Sequence, residues 1–225
     1  MAPIGTLWGS SRQPQTKIIC SVAALNGLEL EQPEWKSSDR PAGYTSAFSY
    51  GKIPAFEGSD GFKLMEGASI ARYLCGLGTK VNLLGSDAKE IAQVDQWTHF
   101  SEQEISVPGS NIMGVIFGFA GPFNRETLDK QTERLVRALT YVETYLGTRP
   151  SGYLVSDSLT LADLFLVGGI YGCCYTTLGV AERAKYPAIF AHYAKVTGNE
   201  VLKQFWGTEH FTDVAVTEPK PFQYT

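Results

Sequence analysis

The hydrophobic pattern of this chain changes character near residue 80, and that change limits the folds open to it. Upstream, short apolar runs alternate with helical stretches; downstream, every patterned segment repeats at helical spacing. Residues 4–8 (IGTLW) are a short apolar run closed by Gly9-Ser10 and read as a strand. Residues 15–26 read as a helix ended by Gly27, since a left-handed cap suits a residue without Cβ. Residues 28–32 (LELEQ) alternate and read as a second strand, and 36–52 as loop with at most a short helix. Residues 54–58 and 62–66 flank Ser-Asp-Gly, a hairpin signal. Residues 67–77 then place Ile70, Tyr73, Leu74 and Leu77 on one helical face. The order β-α-β-(α)-β-β-α describes a small α/β unit over residues 1–78.

Residues 79–87 have turn residues and no period, and read as a linker to an all-helical unit over 88–225. Residues 88–105 put Ile91, Val94, Trp97 and Ile105 on one face, and Pro108 and Gly109 are expected to bend or break that helix. Residues 110–124 are apolar with several glycines and carry no clear period. Residues 126–147 form the clearest helix, 160–177 a buried one, 187–205 one or two more, and 212–225 an extended tail. Within S-L-T-L-A-D (158–163), Thr160 and Asp163 have capping-box spacing, with Leu159 and Leu164 as its hydrophobic staple. Such a cap is worth roughly 1 kcal/mol, and it is a folding motif. The uncharged run 164–181 touches the length of a membrane span. Its Gly, Tyr, Thr and Cys content and the Asp163 cap favour a buried core helix.

Composition narrows the function classes. Nineteen Lys+Arg against 23 Asp+Glu leave a net charge of −4, which argues against nucleic acid or an anionic membrane as the main partner. The four cysteines (20, 75, 173, 174) show no C-x-x-C and no zinc spacing, and read as reduced, mostly buried thiols. The three histidines (99, 192, 210) are scattered, so no metal site is expected. The N-terminus lacks a basic start followed by an apolar stretch, and neither end carries a lipidation signal, which suggests the cytosol.

Three segments carry chemistry. K-I-P-A-F (52–56) reads as an edge strand on which the Ile53 backbone pairs with an extended, peptide-like ligand. In E-G-A-S-I-A-R-Y-L (66–74), Glu66 and Gly67 open a helix whose free N–H groups attract a carboxylate; the plainer reading is that Glu66 complements the helix dipole. W-G-S-S-R (8–12) sets two hydroxyls and a guanidinium at a strand-to-helix turn, where they stabilise an anion or simply cap the helix.

In this order and spacing, K-I-P-A-F, E-G-A-S-I-A-R-Y-L and S-L-T-L-A-D resemble the cytosolic glutathione transferases over nearly the whole chain. G-T-L-W (5–8), K-I-P-A-F-E-G-S-D-G-F (52–62), Q-W-T-H-F-S (96–101) and L-T-L-A-D (159–163) resemble the fungal transferases of the elongation-factor-gamma-like type. The resemblance implies an α/β thioredoxin-like N-terminal domain that holds glutathione, an all-α C-terminal domain, and a homodimer. It implies a cis Pro54, an Ile53 backbone paired with the cysteinyl part of glutathione, Glu66 and Gly67 on the γ-glutamyl group, and Lys52 toward the glycyl carboxylate. The expected activity is conjugation of glutathione to apolar electrophiles in detoxification, with a peroxidase side activity. The alternative is a non-catalytic ligand-binding or translation-associated protein. The stop at Thr225 leads us to expect a stand-alone transferase.

Two departures from the family pattern stand out. The family usually has Glu-Ser where this chain has Glu66-Gly67. A hydrogen bond to a charged group is worth about 1.5–3 kcal/mol, so weaker glutathione binding is expected unless another donor compensates. Ser69, two residues on, faces elsewhere. The second departure is the absence of Tyr or Cys after the first strand, which leaves Ser10, Ser11 and Arg12 to favour the glutathione thiolate. Proximity to the following helix points to Ser11 and Arg12. The apolar stretch 105–124 is the candidate wall for an electrophile pocket.

Overall fold

A computed structural model describes residues 2–36 and 39–220. Strands β1 (Gly5–Trp8), β2 (Ala55–Gly58) and β3 (Lys63–Met65) form one antiparallel sheet in the order β1-β2-β3. Trp8 sits opposite Ala55, and Ala55 opposite Met65. The register needs glycine at position 5, because a Cβ there would lie 2.4 Å from the Glu57 carbonyl oxygen. Asp60 closes the β2–β3 hairpin by accepting from the Phe62 N–H at 3.0 Å.

The alternating segment 28–32 does not become a full strand. It runs parallel to β1, with the Leu7 N–H donating to the Glu31 carbonyl (2.8 Å) and the Glu31 N–H to the Gly5 carbonyl (3.0 Å). Thr6 and Glu31 form one isolated bridge. The next donor of a parallel ladder would be residue 33, which is proline and has no N–H.

Helix α1 (Pro14–Asn26) starts on a proline, whose fixed φ suits the first turn, and ends at Gly27 with φ 67°. Helix α2 (Ala42–Ala47) is the short helix of the 36–52 loop, and α3 (Gly67–Leu77) follows the hairpin. Tyr44 of α2 is fully buried in a small core with Trp8, Phe48 and Ala55. The chain then becomes helical: α4 (Ala88–Phe100), α5 (Val107–Phe117), α6 (Arg125–Gly147), α7 (Leu161–Cys173), α8 (Val180–Arg183) and α9 (Pro187–Thr197).

The break expected at Pro108 and Gly109 does not occur. Residues 101–106 are π-helical and join α4 to α5 without a gap. The wider π turn just before Pro108 makes room for a ring that would clash with an α-helical carbonyl four residues back, and Pro108 occupies the first turn of α5. Beyond α9 the described tail follows the body: Thr212 N–H bonds the Cys174 carbonyl, Val216 the Thr176 carbonyl and Lys220 the Ile116 carbonyl. The rest of the extended tail, 221–225, lies outside the described residues.

Helix α7 organises the core. Its residues are buried all round except Gly172, as in a helix that lies inside a protein. Each leucine it hides contributes roughly 1.5–3 kcal/mol. Helix α1 packs on both α3 and α7. Gly168 permits the α1–α7 approach, since a Cβ there would stand 2.7 Å from Ile18 Cδ1. One apolar cluster therefore runs from Leu7 through Ile18, Ile70 and Leu164 to Trp206. Among the described residues no helix is long and apolar enough to cross a membrane.

Candidate functional site

The residues of K-I-P-A-F, of the α3 start and of the 10–13 turn meet at the start of α1. The Ile53–Pro54 peptide is cis. Pro54 is buried, Ile53 half-buried and Lys52 exposed. Two side chains hold this loop from behind. The Tyr44 hydroxyl donates to the Lys52 carbonyl (3.0 Å), and Gln13 Nε2 donates to the Ile53 carbonyl (3.0 Å). Gln13 is itself oriented by the Thr16 hydroxyl, which donates to its Oε1 at 3.0 Å. Sequence reading assigned no role to Gln13 or Tyr44. Gln13 precedes a helix-starting proline, but nothing local aims it at a carbonyl 40 residues away.

Gly67, the first residue of α3, is buried against both partners. A Cβ at this position would lie 3.1 Å from Gln15 Cβ and 3.7 Å from Pro54 Cγ. Glu66 precedes it with φ 71°, the left-handed region that a residue with a side chain seldom enters. Its carboxylate is exposed and makes no capping bond to α3. The π-helical segment carries Glu102, which feels the charge of Glu66. Burial pushes the Glu102 acid up, the His99 imidazole 3.7 Å away opposes this, and the charge of Glu66 adds to the rise. The charges of Glu66 and Glu102 thus act on each other, and Glu102 is a residue that sequence reading missed.

In the 10–13 turn, the Ser10 carbonyl accepts from the Gln13 N–H (2.9 Å), and Ser10 Oγ accepts from the Arg12 N–H (3.3 Å). Ser10 is half-buried, whereas Ser11 and Arg12 are exposed. No thiol joins them: Cys20 is buried on α1, with its pKa pushed up to about 11 by desolvation. Of the candidate wall 105–124, Ile105, Ile112, Val115 and Ile116 belong to the core, while Met113 and Phe117 are half-buried and Phe119 is exposed. A shallow cavity of about 380 Å³ opens elsewhere, between α4 and α6, lined by Phe100, Arg137, Ala138 and Tyr141 among others. Among the described residues no group of three or more His, Cys, Asp or Glu is placed to hold a metal ion.

Comparison with known proteins gives this arrangement a context. The family model for the glutathione S-transferase N-terminal domain matches residues 3–75, and that for the C-terminal domain matches residues 119–209. The glutathione S-transferase-like protein LUC7 of a Fusarium species is 33% identical over 217 residues, covering 95% of this chain and 98% of that protein. Elongation factor 1-gamma of Schizosaccharomyces pombe is 30% identical over 223 residues, covering 97% of this chain and 50% of that protein. The crystal structure of the transferase-like domain of elongation factor 1-gamma from Saccharomyces cerevisiae superposes with a TM-score of 0.83 at 23% identity, covering 98% of this chain and all of that one. Its likeness is one of fold: a small sheet domain followed by a helical domain. With both halves matched and a relative aligned along almost its entire length, the chain belongs to the glutathione S-transferase family.

Proposed function

We propose that the chain binds glutathione where the cis-Pro loop, the α3 start and the 10–13 turn converge, and conjugates it through its sulfur to apolar electrophiles. The observation that carries this reading is the convergence itself. The Ile53 backbone, in a loop just before the central strand β2 rather than on the edge strand expected at 52–56, a helix N-terminus at Gly67 and a hydroxyl-bearing turn lie around the first turn of α1. Ile53 presents its N–H to the cysteinyl backbone of the tripeptide; its carbonyl is already held by Gln13 and keeps one lone pair. Glu66 attracts the γ-glutamyl ammonium, and the first N–H groups of α3 attract the carboxylate beside it. Lys52 is exposed at the other end of the loop for the glycyl carboxylate.

Thiol activation falls to Ser10, Ser11 and Arg12, with Ser10 the leading donor. Its oxygen accepts from the Arg12 N–H, which leaves the hydroxyl proton to point at sulfur. A hydrogen bond made to the thiolate favours the charged form and lowers the pKa of the thiol. The glutathione S–H then gives its proton to solvent. The sulfur lone pair forms the bond to the electrophilic carbon, and the leaving group departs with the electron pair. The same reading makes the protein a cytosolic detoxifying enzyme, in keeping with four cysteines free of disulfides. It also makes it a homodimer, through the face where Val136 and Tyr141 stay exposed beside the α4–α6 cavity.

Turnover of a chlorinated nitroaromatic above the uncatalysed rate, with retention on immobilised glutathione, is the expected result. Absence of both would sink the proposal. Ser10→Ala should raise the pKa of bound glutathione, read from thiolate absorbance, by more than Ser11→Ala or Arg12→Ala. A second reading, a glutathione-binding interaction protein without catalysis, is favoured by the 30% identity to elongation factor 1-gamma. Retention without turnover would select it.

A further inference from the structure

We infer that Gln15 binds the carboxylate of the γ-glutamyl group, doing at the start of α3 what a side chain on residue 67 cannot do in this chain. The inference rests on the glutathione-site reading and assigns a specificity residue within it.

Helix α3 begins without a side-chain cap. Glu66 stands at the capping position in a left-handed conformation and gives no hydrogen bond to the first turn. The leading N–H groups of α3 therefore have no side-chain acceptor from their cap, and residue 67 has no side chain of its own. The space where one would stand is already filled. A Cβ on Gly67 would meet Gln15 Cβ at 3.1 Å and Gln15 Cγ at 3.2 Å, tighter than ordinary van der Waals contact. The aliphatic stem of Gln15 thus lies against the Gly67 backbone at the helix start. Gln15 is half-buried on the first turn of α1. Among the described residues, its amide has no hydrogen-bond partner, in contrast to Gln13 two residues earlier, which is held at both ends.

The chemistry suits one kind of ligand group. A carboxamide NH2 donates to a carboxylate without adding charge. Glu66 and Glu102 are left to attract a cation, since no arginine or lysine is introduced between them to neutralise them. The start of α3 then offers donors on the Gln15 side and negative charge on the Glu66 side. That pattern matches an α-amino-acid head, carboxylate and ammonium on one carbon, which is the free end of glutathione. It also explains why glycine stands at position 67: a serine hydroxyl and the Gln15 stem compete for the same volume.

The test is calorimetric titration of the full chain with glutathione, and with the analogue whose γ-glutamyl carboxylate is replaced by hydrogen. Gln15→Ala should weaken glutathione about tenfold, as for one hydrogen bond to a charged group, and leave the analogue unchanged. Gln15→Glu should weaken glutathione further, because two carboxylates then meet. Gly67→Ser alone should also lose affinity by displacing Gln15. If Gln15→Ala binds glutathione as the parent does, the assignment fails and the site reading stands. If it loses glutathione and the analogue equally, Gln15 acts only by packing and the assignment again fails. If the parent protein binds no glutathione, both fall together. Circular dichroism and melting temperature confirm that each variant is folded.

Discussion

The Gln13 side chain donates to the Ile53 carbonyl at 3.0 Å, and so fastens the start of α1 to the loop that carries the cis proline. The bond has no backbone counterpart, because the 50–54 segment precedes β2 and pairs with no strand. Together with the Tyr44 hydroxyl on the Lys52 carbonyl, it satisfies two successive acceptors in a segment without regular structure. Gln13→Ala should cost about 1 kcal/mol of stability, more if the carbonyl is left dry. It should also raise hydrogen-exchange rates around residues 52–55 more than elsewhere. Urea denaturation and exchange mass spectrometry measure the two effects. Uniform exchange across the chain would show that Gln13 holds nothing in place.

Among the described residues, buried Asp163 makes four side-chain contacts to hydrogen-bonding partners. Its Oδ2 accepts from the Thr160 N–H (2.8 Å) and the Thr160 hydroxyl (2.9 Å). Its Oδ1 accepts from the Leu154 N–H (2.9 Å) and lies 2.9 Å from His192 Nε2. The carboxylate is fully buried. Asp163→Ala strands these donors together, so a loss of about 3–5 kcal/mol is expected, well beyond that of an ordinary cap. Asp163→Asn keeps the volume and should recover part of it. A denaturation midpoint within error of the parent would show that water replaces the carboxylate.

What the sequence made legible was local. The hairpin around Ser-Asp-Gly, the α3 start at Gly67 and the capping-box spacing of Thr160 and Asp163 depend on residues a few positions apart, and each can be read from spacing alone. The second strand was misjudged because alternation at 28–32 describes side-chain burial, whereas ladder length is set by donors, and Pro33 withholds one. The π-helical stretch carries no composition signal; it follows from fitting Pro108 into a continuous helix. Gln13 on Ile53, Gln15 on Gly67, His192 on Asp163 and the influence of Glu66 on Glu102 all join distant segments. Only the packing of α1 between α3 and α7 and the path of the helical region bring them together.

The cysteines should be silent in the native protein. Desolvation pushes the Cys20 thiol up to about 11 and the Cys75 and Cys174 thiols up to about 12, and it raises Cys173 as well. The thiolate is the reactive form, so its fraction at neutral pH is far below that of a free cysteine. An aromatic disulfide reagent at pH 7 should label none of the four rapidly in the folded chain, and all four after unfolding. Fast labelling of even one native thiol would reopen a thiol-exchange role, which the absence of a cysteine in the 10–13 turn argues against.

Glu102 ties stability to pH and ligand in opposite directions. Burial first, and the charge of Glu66 after it, raise its folded pKa, with His99 opposing. A carboxyl whose pKa is higher folded than unfolded binds its proton more tightly in the native state. Its contribution is therefore favourable at low pH and is lost as pH rises from the ordinary carboxylate range through the raised value. Glu102→Gln removes a charge that the fold tolerates poorly. The variant should melt higher than the parent at pH 7, and the difference should shrink as the pH falls toward the ordinary carboxylate range. Glutathione should act against this. An ammonium placed between Glu66 and Glu102 favours the charged carboxylate, so binding should release protons from Glu102 and weaken when it is removed. Calorimetry in buffers of different ionisation enthalpy reads the proton release, and Glu102→Gln should abolish the pH-dependent part while lowering affinity at pH 7. A variant that gains stability and binds glutathione as tightly as the parent would mean that Glu102 feels the charge of Glu66 without sharing a ligand with it.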